Sequence, residues 1–257
     1  MKLLKLIKST IINRPSKIIK SPYMADVEVN NKNVLAHSPS LGLCGLITTN
    51  SIIMLSTYTT NTPNKNRKSN YTIELVQTIN NKNKKIWIGS NSVFANKIFS
   101  IFLSKFEDFK NFSIEKAEVK IYNSRLDFCL VNNNKKLFVE VKSVPLVSYN
   151  SELKQIYATF PDGYKKQQDL CISDRAYKHL EDLIKLKKEG YRTSLVFIVQ
   201  RSDAEYFSPN YEKDKCYSNK LKEAFDEGVE IYAYKFRWTV KNDIGSCKFI
   251  KKLNIIF

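Results

Sequence analysis

Acidic residues are scarce in this chain. Asp and Glu number 25 against 42 Lys and Arg, a formal net charge of +17. That imbalance supplies a positive field suited to polyanions such as nucleic acid. Glycine and proline are also few, seven of each, which excludes large low-complexity or collagen-like segments. The five cysteines, Cys44, Cys129, Cys171, Cys216 and Cys247, are scattered and form no C-x-x-C pair. Neither a zinc cluster nor a disulfide framework is indicated, and a reducing, cytoplasmic setting is expected. No apolar run reaches the roughly 18 residues of a membrane span. Met1 to Ile12 is apolar but broken by Lys2, Lys5 and Lys8, so no secretory leader and no membrane partner are expected. The two histidines, His37 and His179, have no metal-ligand partner at useful spacing and read as packing residues.

What is present is ample core material. Over 257 residues, 43% are hydrophobic and 12% aromatic, enough for one large domain or two small ones. The first 20 residues carry six cations and no acid, which reads as a basic strand edge or a phosphate-contacting arm. Short alternating segments follow at residues 25–29, 34–37, 52–56 and 72–76, separated by polar turns. Strands at this spacing predict a small five-stranded barrel of the OB type, which binds oligonucleotides. Before its last strand lie Lys65, Arg67, Lys68 and Tyr71, a basic loop ending in an aromatic. Such a loop can grip a phosphate backbone and stack a base. A polar linker at residues 80–85 sets a boundary between an OB-fold domain, 1–82, and a second domain, 83–257.

The second domain alternates helices and strands. Ser90 or Asn91 can cap a helix bearing Phe94, Ile98 and Phe102 at one-turn spacing. A strand over residues 115–122 leads into a hairpin. Residues 144–172 read as a long irregular loop. Ser173 then caps a helix closed by Gly190, residues 194–199 form a buried strand, and a helix near 215–227 precedes a strand at 229–234. This order predicts an α/β sandwich.

The hairpin carries the chemistry. Ser124 to Phe128 and Phe138 to Lys142 both read as strands, joined through the polar residues 132–135. Pairing Val131 with Lys136 places Asp127 opposite Glu140, with directly opposed Cβ atoms about 4.5–5.5 Å apart. Leu126, Phe128, Leu130, Leu137, Val139 and Val141 then share an apolar face. Arg125, Asp127, Glu140 and Lys142 share the other, read here as exposed. Two carboxylates from adjacent strands suit Mg²⁺ or Mn²⁺, which take oxygen ligands and complete their shells with water and phosphate. Lys142 can position a water or steady a developing phosphate charge. Asp followed by Glu-x-Lys on paired strands is the PD-(D/E)xK nuclease pattern. The plainer alternative is a surface salt-bridge patch.

Taken together, the motifs resemble the sugar fermentation stimulation protein A family. The matching stretches include Ala36-His37-x-Pro39-x-x-Gly42, Asn64 to Lys68 with Tyr71-Thr72-x-Glu74-Leu75-Val76, and Gly89-x-Asn91 with Ala95-Asn96. They continue through Glu118-Val119-Lys120, Ser124 to Phe128, Phe138 to Leu146, Phe160-Pro161-Asp162, Lys178-His179-Leu180 and Phe197-x-x-Gln200-Arg201. The resemblance implies an N-terminal OB-fold, a C-terminal PD-(D/E)xK nuclease-like domain of α/β (α+β) class, and DNA binding. It implies metal and catalytic roles at Glu118, Asp127, Glu140 and Lys142, with Gln200 as the polar residue beside the core. Arg125 and Arg175 join the basic loop as candidate nucleic-acid contacts. The chain departs from the family after His37, where Pro39-Ser40-Leu41-Gly42-Leu43-Cys44 replaces P-N-T-G-S-M. Tyr164 to Ile172 reads as an insertion. Two functions are therefore expected to compete: a metal-dependent DNA-cleaving enzyme, and a DNA-binding or regulatory protein that keeps the nuclease fold as a scaffold. An RNA-binding barrel with an auxiliary domain is a third.

Overall fold

A computed structural model describes residues 1–3, 5–40, 43, 45–58, 68–161, 163 and 170–257. Those residues divide into two compact units. One comprises Met1–Val93 with Gln200–Asp203 and Phe236–Ile250; the other comprises Phe94–Val199 with Ala204–Lys235 and Lys251–Phe257.

The first unit opens with β1 (Lys2–Leu3), β2 (Ile7–Asn13), β3 (Met24–Val29), β4 (Lys32–His37), β5 (Ile52–Thr57), β6 (Tyr71–Ile79) and β7 (Lys85–Gly89). Antiparallel pairs β2–β3, β3–β4, β2–β5 and β5–β6 form a ribbon, and a parallel pairing of β4 with β6 closes it. The result is the five-stranded, OB-like barrel that the strand spacing predicts. Its fifth strand is β2, so residues 7–13 of the basic N-terminal segment are barrel wall rather than a free arm. Ile11, Val27, Ala36, Ile53, Ile73 and Val76 fill the interior, each fully or almost fully buried. Closure leaves no unpaired edge in the ring. The polar residues 80–85 are not a linker. Asn80 Oδ1 accepts from the Lys82 and Lys84 amides at 3.0 and 2.9 Å, and Ile79 pairs with Lys85, so this stretch turns the β6–β7 hairpin.

The second unit contains α1 (Phe94–Phe102), β8 (Ser113–Ile121), β9 (Ser124–Asn132), β10 (Lys135–Val144), β11 (Val147–Asn150), β12 (Gln155–Phe160), α2 (Asp174–Lys188), β13 (Arg192–Val199), β14 (Tyr206–Pro209) and α3 (Lys215–Asp226). The last two strands, β15 (Glu230–Lys241) and β16 (Ile244–Leu253), each contribute residues to both units. Its sheet runs β15-β13-β10-β9-β8, with β10, β13 and β15 parallel and β8 and β9 antiparallel. Residues 144–161 are more ordered than their sequence predicts. Val147–Asn150 and Gln155–Phe160 pair with each other, and Gln155–Phe160 also pairs with β14, building a three-stranded sheet. Pro145 and Pro161 bracket these short strands and mask them in a sequence reading.

Two layers of helix cover the sheet. Phe99 of α1 packs on Phe128 at 5.2 Å between centroids, below one face. Leu180, Leu183 and Ile184 of α2, with Leu221 and Ala224 of α3, join Leu195, Phe197 and Val199 on the other. The local causes are legible. Ser173 Oγ accepts from the Ala176 amide at 3.3 Å and opens α2. Gly190, with φ +89°, closes it, its N–H reaching Lys187 O and the next N–H reaching Leu186 O, both at 3.0 Å. Asp214 caps α3 through the Tyr217 amide at 3.0 Å and also holds the Ile172 amide at 2.6 Å.

Candidate functional site

The β9–β10 register matches the sequence expectation as far as it runs. Val131 faces Lys136, Leu130 faces Leu137, and the ladder continues to Phe128 opposite Val139. The next rung would set Asp127 against Glu140, but there the backbones part. Asp127 supplies the missing acceptor itself: its Oδ2 takes the Val141 N–H at 2.7 Å, and its Oδ1 takes Asn96 Nδ2 of α1 at 2.6 Å.

Glu140 is where the structure corrects the sequence reading. The face holding it is not an exposed patch. Because β10 pairs on its other side with parallel β13, it is a central strand, and α2 covers the Glu140 face. Glu140 is only 3% exposed, beside the buried Cys129 and Phe138 of the same face. An ionised carboxylate in such a place costs several kcal/mol unless compensated. Two partners compensate it at a single oxygen. Lys142 Nζ sits 2.5 Å from Oε1, and His179 Nδ1 of α2 bonds the same atom. Lys142 Nζ is also 3.3 Å from His179 Nδ1, which closes a triangle of three side chains. The other oxygen, Oε2, is buried and has no hydrogen-bond partner among the described residues.

The two acids are driven in opposite directions. Burial, with Glu140 adding to it, pushes the Asp127 carboxyl up to about 6 against the weaker pull of the Val141 amide and Lys142. Burial also works to raise Glu140, but Lys142 and His179 together outweigh it and hold that carboxyl down at about 2. At neutral pH both are charged, and Lys142 favours the charged form of each. Tyr217 of α3 adds a second unpartnered oxygen. Its ring is fully buried, its hydroxyl lacks a hydrogen-bond partner among the described residues, and burial with the Glu140 charge holds it well above its ordinary value.

The donor set suits a hard cation only in part. Among the described residues, no three or more His, Cys, Asp and Glu side chains are grouped to hold an ion. A cation here would rest on Asp127 and the free Oε2 of Glu140, with water and a bound phosphate completing its shell, the usual habit of Mg²⁺. His179 and Asn96 are the residues the sequence reading missed. Both lie in motif stretches quoted above, but helical residues far apart in the chain carry no spacing signal toward a strand.

Other candidates fall elsewhere. Glu118 has φ +55° on β8 and lies 3.7 Å from Arg125 Nη1, with both side chains largely exposed. Gln200 belongs to the first unit and is fully buried. Trp238 Nε1 donates to its Oε1, and its Nε2 donates to Asn91 O, each at 3.3 Å. Only glycine fits beside it, since a Cβ on Gly89 would meet Gln200 Oε1 at 2.1 Å. Arg175 is exposed at the start of α2, Lys68 is exposed, and Tyr71 is half-buried on the barrel. Lys65 and Arg67, Asp162 and most of the insertion at 164–172 lie outside the described residues, as do positions 41, 42 and 44 of the departing motif.

A five-stranded barrel and an α/β unit with an acid–acid–lysine cluster on neighbouring strands define the class of architecture. The family model described as the sugar fermentation stimulation protein RE domain matches residues 93–242, and the chain belongs to that family. Among its relatives, the sugar fermentation stimulation protein homolog of Methanosphaera stadtmanae is 33% identical over 94% of both chains. That of Caldanaerobacter subterraneus is 32% identical over 89% of both. In fold, the chain is similar to Pyrococcus furiosus SfsA, solved in complex with Ca²⁺, at a TM-score of 0.80 and 22% identity, covering 100% of this chain and 98% of that one. No helix among the described residues is long and apolar enough to cross a membrane.

Proposed function

We propose that this chain binds DNA and hydrolyses its phosphodiester bonds at Asp127, Glu140 and Lys142 with the help of a divalent cation, Mg²⁺ or Mn²⁺. The observation that carries this reading is the division of labour at Glu140. One oxygen is held by Lys142 and His179, while the other is buried and has no hydrogen-bond partner among the described residues, near a second buried carboxylate. A purely structural ion pair has no reason to leave that oxygen empty. That the Pyrococcus furiosus protein of similar fold was solved in complex with Ca²⁺ supports divalent-cation binding as part of this reading.

A bound cation would supply charge neutralisation for the phosphate and a more acidic water. The protein's own residues do the rest. Asp127 is pinned by Asn96 and the Val141 amide, so its carboxylate is oriented before any ligand arrives. His179 hydrogen-bonds the Glu140 carboxylate at one oxygen. Lys142, 13% exposed in its side chain, keeps its ammonium at the edge of the site, where it can meet developing charge on a phosphate oxygen. Arg125, Arg175, Lys65, Arg67 and Lys68 would contact the backbone, Tyr71 would stack a base, and Glu118 would steer Arg125. The net charge of +17 supports the polyanion partner.

The scaffold reading draws on one observation, that Lys142 is already engaged by Glu140. Cleavage of labelled linear, nicked and single-stranded DNA with Mg²⁺, Mn²⁺ or chelator tests the choice. Metal-dependent cleavage lost in Asp127→Asn supports the enzyme. Tight DNA binding with no cleavage by the parent under any metal supports the scaffold.

A further inference from the structure

The turn end of the β9–β10 hairpin borders a cavity of about 750 Å³ that the site above does not use. That is within the ordinary range for small-molecule sites. Its walls combine three aromatics, Phe112, Phe138 and Tyr191, with three cations, Lys135, Lys136 and Arg192, and no acid lines it. The aromatics are fixed in place. Tyr191 meets Phe138 edge-on at 5.3 Å between centroids, and the Arg192 guanidinium lies 5.1 Å from the Phe112 ring centre. Two of the cations are answered: Arg192 by Glu230 through bonds of 2.5 and 2.9 Å, and Lys136 by Glu115 at 3.2 Å. Lys135 has no carboxylate at ion-pair distance among the described residues. Tyr191 is 42% exposed, so it offers open ring surface to the cavity. Lys135 is seven residues from Lys142 along β10, about 23 Å at the rise of a strand.

We propose that this cavity is a separate binding site for a nucleotide unit, whose base packs on Tyr191 and Phe112 and whose phosphate meets Lys135. An open aromatic surface next to an uncompensated cation is the pairing that a base with its phosphate satisfies. A purely apolar ligand would leave the cations desolvated, and inorganic phosphate would leave the rings unused. The source is either one nucleotide of a single strand or a free mononucleotide. The site stands apart from Asp127 and Glu140 and does not depend on cleavage.

The full chain, with chelator present, is titrated with a fluorescent single-stranded dT12, and dTMP is tested as a competitor. Tyr191→Ala and Lys135→Glu should each weaken dT12 binding by about 5- to 100-fold. Tyr191→Phe should retain it. An iodouracil-substituted dT12 should cross-link to Tyr191 or Phe112. Competition by dTMP near the oligonucleotide's own concentration range identifies a free-nucleotide site, and weak competition identifies a strand site; both support the shared chemistry. Folded Tyr191→Ala and Lys135→Glu proteins that bind dT12 like the parent overturn it, as do cross-links mapped wholly elsewhere. Loss of cleavage in Asp127→Asn has no bearing on this result, so the two readings fail independently.

Discussion

Lys142 and Glu140 leave the same face of β10 two residues apart, and the lysine Nζ rests 2.5 Å from one carboxylate oxygen while the other oxygen stays unpartnered. The lysine thus engages one oxygen of the carboxylate and not the other. Replacing Lys142 with Met keeps the stem and removes the charge. Glu140 then retains only His179, its carboxyl rises, and the protein should melt at a lower temperature at pH 7. Cleavage should fall with the melt still cooperative. An unchanged melting temperature would mean that the ion pair is not formed in solution.

Asp127→Asn should do the reverse to stability. The native carboxyl is raised to about 6, above its unfolded value of 3.8, so the folded protein holds that proton more tightly. The charged form is unfavourable in the fold, and that penalty is fully present above pH 6 and vanishes below about 4. Without metal, the variant should therefore be more stable than the parent at pH 7, by about 1–3 kcal/mol, and equal to it near pH 3.5. Added Mg²⁺ should raise the melting temperature of the parent and not of the variant. A variant destabilised at pH 7, with no metal shift in the parent, would remove the cation site.

Glu140 gives the opposite slope. Its folded value, about 2, lies below the usual 4.5, so its contribution is present above pH 4.5 and drains away as pH falls toward 2. Together the two acids predict that metal-free stability peaks between about pH 4 and 5. Glu140→Gln should flatten the acid limb. Denaturant melts at half-unit pH steps follow it; an acid limb as steep as the parent's would place the lost protons elsewhere.

DNA binding should weaken steeply with salt, each neutralised phosphate adding about −0.9 to the slope of log K against log salt for duplex DNA. Reversing the charges of Lys65, Arg67 and Lys68 together should lower duplex affinity and reduce that slope, with metal-induced stabilisation untouched. Titrations at four or more salt concentrations measure both. A flat dependence in the parent would exclude an electrostatic mode.

Sequence alone determined the strand periods, the barrel class and the β9–β10 register, because alternation and turn residues are local signals. It set Asp127 directly opposite Glu140, whereas the ladder ends one rung short, at Phe128 opposite Val139. It left the basic N-terminal segment open between a strand edge and a phosphate-contacting arm, and the pairing of β2 with β3 and β5 decides for the strand. It read residues 144–172 as irregular because two four-to-six-residue strands acquire their stability only from a partner, β14, some 50 residues on. Above all, it took the Glu140 face as solvated. Only the parallel pairing with β13 and the cover of α2 bury that carboxylate, bring His179 to one of its oxygens and leave the other empty. Those contacts join residues 39 apart in the chain, and no local pattern encodes them, so the tertiary structure decided which oxygen is engaged.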